Sequence, residues 1–381
     1  MPAVSHFQYA QLALVVALAV APGGCAQSTS NTTPTDGGFD LSATPVDGSS
    51  TDDLRGVDLS GADLTSSGCP TACNGAHESC FMAQCTCDAG YIRQENGAPA
   101  TAACLVDTSI HTQVDICSKY TTSGTVPASF FTKAAATCDP GMFTTNGLAN
   151  ALARVNFFRW LVGLPAVTTD NTQNASAQKC ALVTASNPAN ASAHNPPPSS
   201  TCYTADGATS AGVSNIAYAP QHYIDAMELW IADTSNATNL GNRREVFRRT
   251  LDPVGLGFYS GGTLGSAACL QRTTTNGTGD TPEFIAYPPP GIVPLPLASH
   301  IWSFSYPGLS ALTPIAATVI RQSDSANLAV TVATLLVESE WEDTISIRGS
   351  GWTPAAGETY RVTVTAGTFT WKYSIKPVSC P

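Results

Sequence analysis

Residues 146–167 read NGLANALARVNFFRWLVGLPAV. Leu148, Leu152, Val155 and Val162 fall near i, i+4, i+7 and i+14, the period of a helix that buries one face. Gly163 and Pro165 then stop it. A one-faced helix needs a partner layer, and the following chain supplies candidates. An alanine-rich helix is predicted over Asn171–Ser186, and a third over Tyr223–Ala232, with Ile224, Met227 and Ile231 on one face. Between these two the chain runs irregularly through His194-Asn195-Pro196-Pro197-Pro198, Cys202 and Gly207. Val254–Tyr259 and Glu283–Tyr287 read as buried strands. Helices alternating with strands predict an α/β layered domain.

Working outward from residues 146–290, the character changes at Tyr287-Pro288-Pro289-Pro290-Gly291. Beyond it helical periodicity gives way to β-rich runs at 301–304, 329–336, 344–347, 360–364 and 368–375. Short strands at that spacing predict a β-sandwich over 291–381. Toward the N-terminus, 105–145 is a connector containing Cys117 and Cys138, and 69–104 packs six cysteines into one short stretch. So short a segment cannot stabilise itself by burial and needs covalent staples. Residues 26–68 hold no cysteine and are dense in Ser, Thr, Gly and Asp, so they predict a disordered linker. A faint Asp-Leu recurrence at 53, 58 and 63 belongs to that linker. Residues 1–25 carry the apolar run Leu12–Ala21, too short for the roughly 20 residues of a membrane span, and read as a signal peptide.

Composition narrows the function. Only 12% of residues are charged, and 28 acidic against 17 basic residues give a net charge of -11, which repels phosphate backbones and excludes nucleic acid as a partner. Thirteen cysteines without paired zinc-type CxxC motifs predict disulfides and an exported protein. Setting Cys25 aside leaves twelve, an even number. Beyond the six-cysteine stretch, local pairing joins Cys117 with Cys138 and Cys180 with Cys202, and elimination leaves Cys269 with Cys380. Sequons at Asn31, Asn174, Asn190, Asn236 and Asn276 arise from the richness in Asn, Ser and Thr and carry no argument.

Three resemblances add to this reading. The stretch Phe158–Val167, followed by the helix leading to His194, Ser214-Asn215-Ile216-Ala217, the helix with Trp230, Gly241-Asn242-Arg243-Arg244 and Val254-Gly255-Leu256-Gly257, resembles the CAP superfamily of SCP-like domains. The resemblance implies an α-β-α sandwich with a central cleft, and Trp302–Gly308 looks like the C-terminal β-domain of its bacterial members. The Cys85-Thr86-Cys87-Asp88-Ala89-Gly90-Tyr91 core resembles an EGF-like module, implying Cys69–Cys80, Cys73–Cys85 and Cys87–Cys104; another six-cysteine knot is the alternative. Thr65-Ser66-Ser67-Gly68 lacks the acids of calcium-binding modules. Pro22-Gly23-Gly24-Cys25 resembles a lipobox, implying lipidation at Cys25 and a lipid anchor in the outer membrane or at the cell surface; simple secretion to the extracellular space is the alternative.

In the CAP family the cleft is often lined by two histidines and two acids. Here the matching positions are His194, Ser214, Asp233 and Asn242. A serine and a neutral amide are poor zinc ligands, and a catalytic zinc normally takes three protein ligands, so no metal, no cofactor and no catalytic residue are expected. His194, Ser214 and Asp233 could be imagined as a serine triad, but no GxSxG elbow accompanies them. The glycines at 255, 257, 261 and 262 make no phosphate loop, and the arginines from 243 to 249 read as a structural turn sooner than an anion site. The expectation is a surface-anchored, non-enzymatic binding protein for an apolar small molecule, a glycan or a protein. The alternatives are a hydrolase of peptide or cell-wall material using His194 and Asp233, and a coat protein without ligand.

Overall fold

Four short strands open the part of the chain that the computed structural model describes, which comprises residues 73, 75–81, 84–93, 103–133, 136–189, 193–273, 276–335 and 341–381. Cys25, the linker 26–68 and Cys69, with the Cys69–Cys80 bond, lie outside them. β1 (Glu78–Phe81) pairs antiparallel with β2 (Gln84–Cys87), and β3 (Tyr91–Ile92) with β4 (Leu105–Val106). Strands of two to four residues bury almost nothing, so bonds Cys73–Cys85 and Cys87–Cys104 hold them. His77 and Tyr91 stack at 3.7 Å, and each reaches the Asp280 carboxylate at 3.0 Å.

The expected connector at 105–145 contains a helix, α1 (Gln113–Gly124), and two paired strands, β5 (Phe131–Thr132) and β6 (Met142–Phe143). α1 begins at Thr112, whose hydroxyl accepts the Asp115 N–H at 3.1 Å. Only Ile116, Cys117 and Ser123 of its residues are buried, too few to give the sequence a helical stripe.

α2 (Thr145–Leu161) starts at Thr144, whose hydroxyl accepts the Gly147 N–H, and turns Val155, Phe158 and Leu161 fully inward. α3 (Asn171–Ser186) is capped by Asp170, and α4 (Ala205–Gly212) lies in the stretch expected to be irregular. β7 (Ser214–Tyr218), α5 (Tyr223–Ala232), α6 (Gly241–Val246), β8 (Gly255–Gly262) and β9 (Gly265–Gln271) follow. The three strands form an antiparallel sheet in the order β7-β9-β8.

Alternation along these strands divides their side chains between two layers. Tyr259, Ala267 and Cys269 join Ala177, Cys180 and Ala181 of α3 in one cluster. Leu256, Phe258, Ala268 and Leu270 join Val155 and Phe158 of α2 and Met227 and Trp230 of α5 in the other. Helices thus cover both faces of the sheet. α3 comes unusually close, because a Cβ built on Gly257 would stand 2.1 Å from the Ala177 carbonyl oxygen and one on Gly255 2.5 Å from that of Gln173. The two glycines let helix and strand backbones touch. Buried Gln178 fills the gap between them, accepting the Phe258 N–H at 3.1 Å and donating to the Phe258 carbonyl.

The rest of the chain forms two larger sheets. β10 (Ile285–Tyr287), β12 (Trp302–Ser305), β16 (Thr344–Gly349) and β15 (Val330–Thr334) lie in that order in one. β11 (Gly291–Pro294), β18 (Phe369–Val378), β17 (Tyr360–Ala366), β13 (Ile315–Arg321) and β14 (Ala326–Leu328) lie in that order in the other. A short helix, α7 (Leu295–Ala298), separates β11 from β12. Aromatic rings bridge the sheets, with Phe304 5.3 Å from Trp371 and Trp302 6.1 Å from Tyr360. Because β10 pairs with β12, the four-stranded sheet starts before the proline run at 288–290.

The three pairings expected beyond residue 105 are corrected. Cys117–Cys138, Cys180–Cys202 and Cys269–Cys380 do not form; the bonds are Cys117–Cys380, Cys138–Cys202 and Cys180–Cys269. Packing, not sequence distance, decides them. α3 lays its fully buried Cys180 on the sheet, where Cys269 of β9 faces it. β18 runs parallel to β11, which packs against α1, and so delivers Cys380 to Cys117.

Candidate functional site

The four residues singled out by the sequence fall into two pairs. His194 and Ser214 sit at the C-terminal end of α4. The exposed His194 ring bonds through Nδ1 to the Ala211 carbonyl at 2.9 Å, and the buried Ser214 hydroxyl donates to the Ser210 carbonyl at 2.7 Å. Asp233 and Asn242 sit where α5 ends and α6 begins. Asp233 adopts a left-handed conformation with φ of 47° that ends α5, and its carboxylate is fully buried. One oxygen accepts the Asn242 amide at 2.9 Å and the other the Arg243 backbone N–H at 3.3 Å. Between the pairs stands Asn215, whose amide donates to the Asn242 carbonyl at 2.9 Å. Among the described residues no hydrogen bond joins His194 or Ser214 directly to Asp233 or Asn242.

The electrostatics follow from burial. Desolvation raises the Asp233 carboxyl above its ordinary value, against the lowering effect of its two donors and of the Arg243 charge. Desolvation also pushes Arg243 down to about 10, with Tyr287 and Asp233 acting against it, so the guanidinium remains charged at neutral pH. It donates to the carbonyls of Ile231, Ala232 and Ile301 and to the Ser303 hydroxyl, and lies 4.6 Å from the Tyr287 ring centre. Tyr287 is bonded in turn to His300 Nδ1 at 3.0 Å. Arg243, Tyr287 and His300 thus tie the end of α5 to β10 and β12. Arg243 belongs to the Gly241-Asn242-Arg243-Arg244 motif and to the arginine tract expected to form a structural turn, whereas no local pattern marks Tyr287 or His300 as its partners.

Chemically, this arrangement offers little to a substrate. The Ser214 hydroxyl is spent on a helix carbonyl instead of an imidazole, so no nucleophile and base are paired. Among the described residues no group of three or more His, Cys, Asp and Glu side chains is placed to hold a metal ion. The remaining arginines of the tract are also occupied. Arg244 bonds the Glu342 carbonyl at 2.9 Å and covers Trp341 at 4.5 Å, while Arg249 pairs with the Glu342 carboxylate and reaches Thr281 at 2.7 Å. They wall a cavity of about 430 Å³ in which Glu342 and Asp343 also take part. No helix among the described residues is long and apolar enough to cross a membrane.

No curated protein and no solved structure matches the chain. Residues 152–271 match the family model described as cysteine-rich secretory protein family, CAP. That range runs from within α2 to the last residue of β9, which is the sheet with helices on both faces. Proteins of this family are typically extracellular and generally not classical enzymes, and the disulfides found here accord with export. The chain therefore carries a CAP domain at residues 152–271, between a disulfide-stapled N-terminal region and two larger C-terminal sheets.

Proposed function

We propose that the protein is exported, anchored to a membrane through lipidated Cys25, and acts as a non-enzymatic binding protein. In this reading the stapled strands form an EGF-like spacer and the C-terminal sheets a supporting β-sandwich, which together hold the CAP domain away from the lipid surface. One observation carries the non-enzymatic part. At the positions matching the family cleft the Ser214 hydroxyl is engaged by Ser210 and the Asp233 carboxylate by Asn242 and Arg243, while His194 bonds Ala211 through Nδ1, so the three side chains are not linked to one another. A serine hydrolase would need the Ser214 hydroxyl released from Ser210 and brought to an imidazole.

The test uses the full exported protein. Peptidase and wall-hydrolase assays are expected to show no turnover, zinc calorimetry no site tighter than micromolar, and a ligand screen a rise in melting temperature with at least one compound. Turnover abolished by His194→Ala would overturn the reading in favour of the hydrolase. For the anchor, Cys25→Ser is expected to move the protein from the detergent phase to the aqueous phase, and an unchanged distribution rejects it.

A further inference from the structure

The pairing of α1 with α2 leaves a groove of about 450 Å³, a volume in the range of small-molecule sites. None of His194, Ser214, Asp233 and Asn242 lines it, and α1 precedes the matched range entirely. Its wall is mostly carbon: Phe157 and Trp160 from α2, with Ala153 and Ala166 beside them. Trp160 is held in place by His111, whose ring stacks on the indole at 3.9 Å. Two of the polar side chains that line it are already bonded within the protein. Asn156 exchanges two hydrogen bonds with the Val167 backbone, at 2.9 and 2.8 Å, and the Ser123 hydroxyl accepts from Arg154 at 3.0 Å.

Ser118 and Thr122 add hydroxyls at the α1 side, and Lys119 is the one charged side chain of the lining. Its ammonium stands 5.0 Å from the Trp160 ring centre, and among the described residues it makes no ion pair and no hydrogen bond. The nearest acid on the same helix, Asp115, is one turn away and is bonded to the Thr112 hydroxyl at 2.6 Å. In a chain with net charge -11, an unpaired cation at the mouth of an aromatic groove is a specific feature.

We propose that this groove binds a small aromatic carboxylate. The ring would lie among Phe157, Trp160 and Ala153, where offset or edge contacts between aromatic rings are favourable. The carboxylate would pair with Lys119 in a charge-assisted hydrogen bond. Two aromatic rings and a single cation select this class over a cation, which Lys119 repels, and over a neutral ligand, which leaves the Lys119 charge without a partner. The proposal rests on the binding reading above and assigns it a site. Turnover and zinc assays test that reading without reference to this groove, so the two can fail separately.

The experiment compares 2-naphthoate with its uncharged counterpart 2-naphthylmethanol on the full protein, by calorimetry and tryptophan fluorescence. The acid is expected to bind about tenfold more tightly than the alcohol. Lys119→Gln should remove that preference while retaining the alcohol's affinity. Ala153→Trp, at an exposed position that leaves the core untouched, should fill the groove and abolish both. Equal or absent binding of the two compounds, a preference that survives Lys119→Gln, or binding that survives Ala153→Trp would each overturn the proposal.

Discussion

The Arg243 guanidinium is buried and has four oxygen acceptors, so its removal strands the carbonyls of Ile231, Ala232 and Ile301 along with the Asp233 charge. Arg243→Ala is expected to cost about 3–5 kcal/mol, the range for breaking a buried charged network, in urea unfolding. His194→Ala removes one bond from an exposed ring and should cost no more than about 1 kcal/mol. Comparable losses in the two would show that the polar core is misassigned. His300, beside Arg243, gives a pH signature. Burial, helped by the Arg243 charge, pushes its imidazole down to about 4, below the ordinary value near 6.5. Between those values the unfolded chain binds a proton that the folded protein refuses, so stability falls as pH drops through the window. Asp233 and Glu283, raised by burial, pull the other way, but they are common to wild type and variant. His300→Gln should therefore lose less stability than wild type between pH 7 and 4.5, and parallel curves would reject the assignment. Motif position pointed to Asp233 and Asn242 from sequence alone. That they would bond each other and the Arg243 backbone was not legible, because those partners exist only once α5 and α6 have met.

At the scale of elements, what the sequence reveals depends on how completely an element declares its ends. The expected spans Asn171–Ser186 and Tyr223–Ala232 are those of α3 and α5. Asp170 caps the first and left-handed Asp233 ends the second. α4 escaped notice because eight residues make barely two turns, and the glycines at 207 and 212 offset the propensity of its three alanines. α1 escaped because it buries three residues of twelve. The contact of α3 with β8 is the most demanding in the CAP domain, since strand glycines set the separation of the two backbones. Gly257→Ala places a methyl 2.1 Å from the Ala177 oxygen, a backbone atom that cannot rotate away. The expected loss lies at or above the upper end of the about 1–3 kcal/mol typical of overpacking. Gly265→Ala, whose added Cβ meets nothing within 4 Å, controls for glycine-specific strain, because φ of 90° makes it unfavourable without any clash. If Gly257→Ala unfolds at the same denaturant concentration as Gly265→Ala, the close approach of α3 is wrong.

For the molecule as a whole, the disulfides decide which segments move together. The expected local pairs would have left the C-terminal sheets tied to the CAP domain only through Cys269. The bonds found are longer in reach: Cys117–Cys380 spans 263 residues, whereas Cys180–Cys269 spans 89 and stays within the CAP domain. Spacing cannot reveal such a pairing, because it depends on β18 returning beside β11 and α1. In the chain-entropy account a loop of that length is worth about 5.6 kcal/mol, with measured values usually lower, around 2–4 kcal/mol. The bond is not the only tie, since Arg243 reaches Ile301 and Ser303, Arg249 pairs with Glu342, and Trp371 donates to Glu283 at 2.9 Å. The double change Cys117→Ser, Cys380→Ser is therefore expected to leave a folded protein, less stable by about 2–4 kcal/mol. Its non-reducing peptide map should still contain Cys138–Cys202 and Cys180–Cys269. The C-terminal strand β18, released at its end, should exchange its amide hydrogens faster than β9, whose neighbouring bond is intact. A wild-type map containing Cys117–Cys138 instead would refute both the pairing and the return of β18 to α1. Unchanged exchange in β18 would show that the arginine and tryptophan contacts hold the C-terminus without the bond.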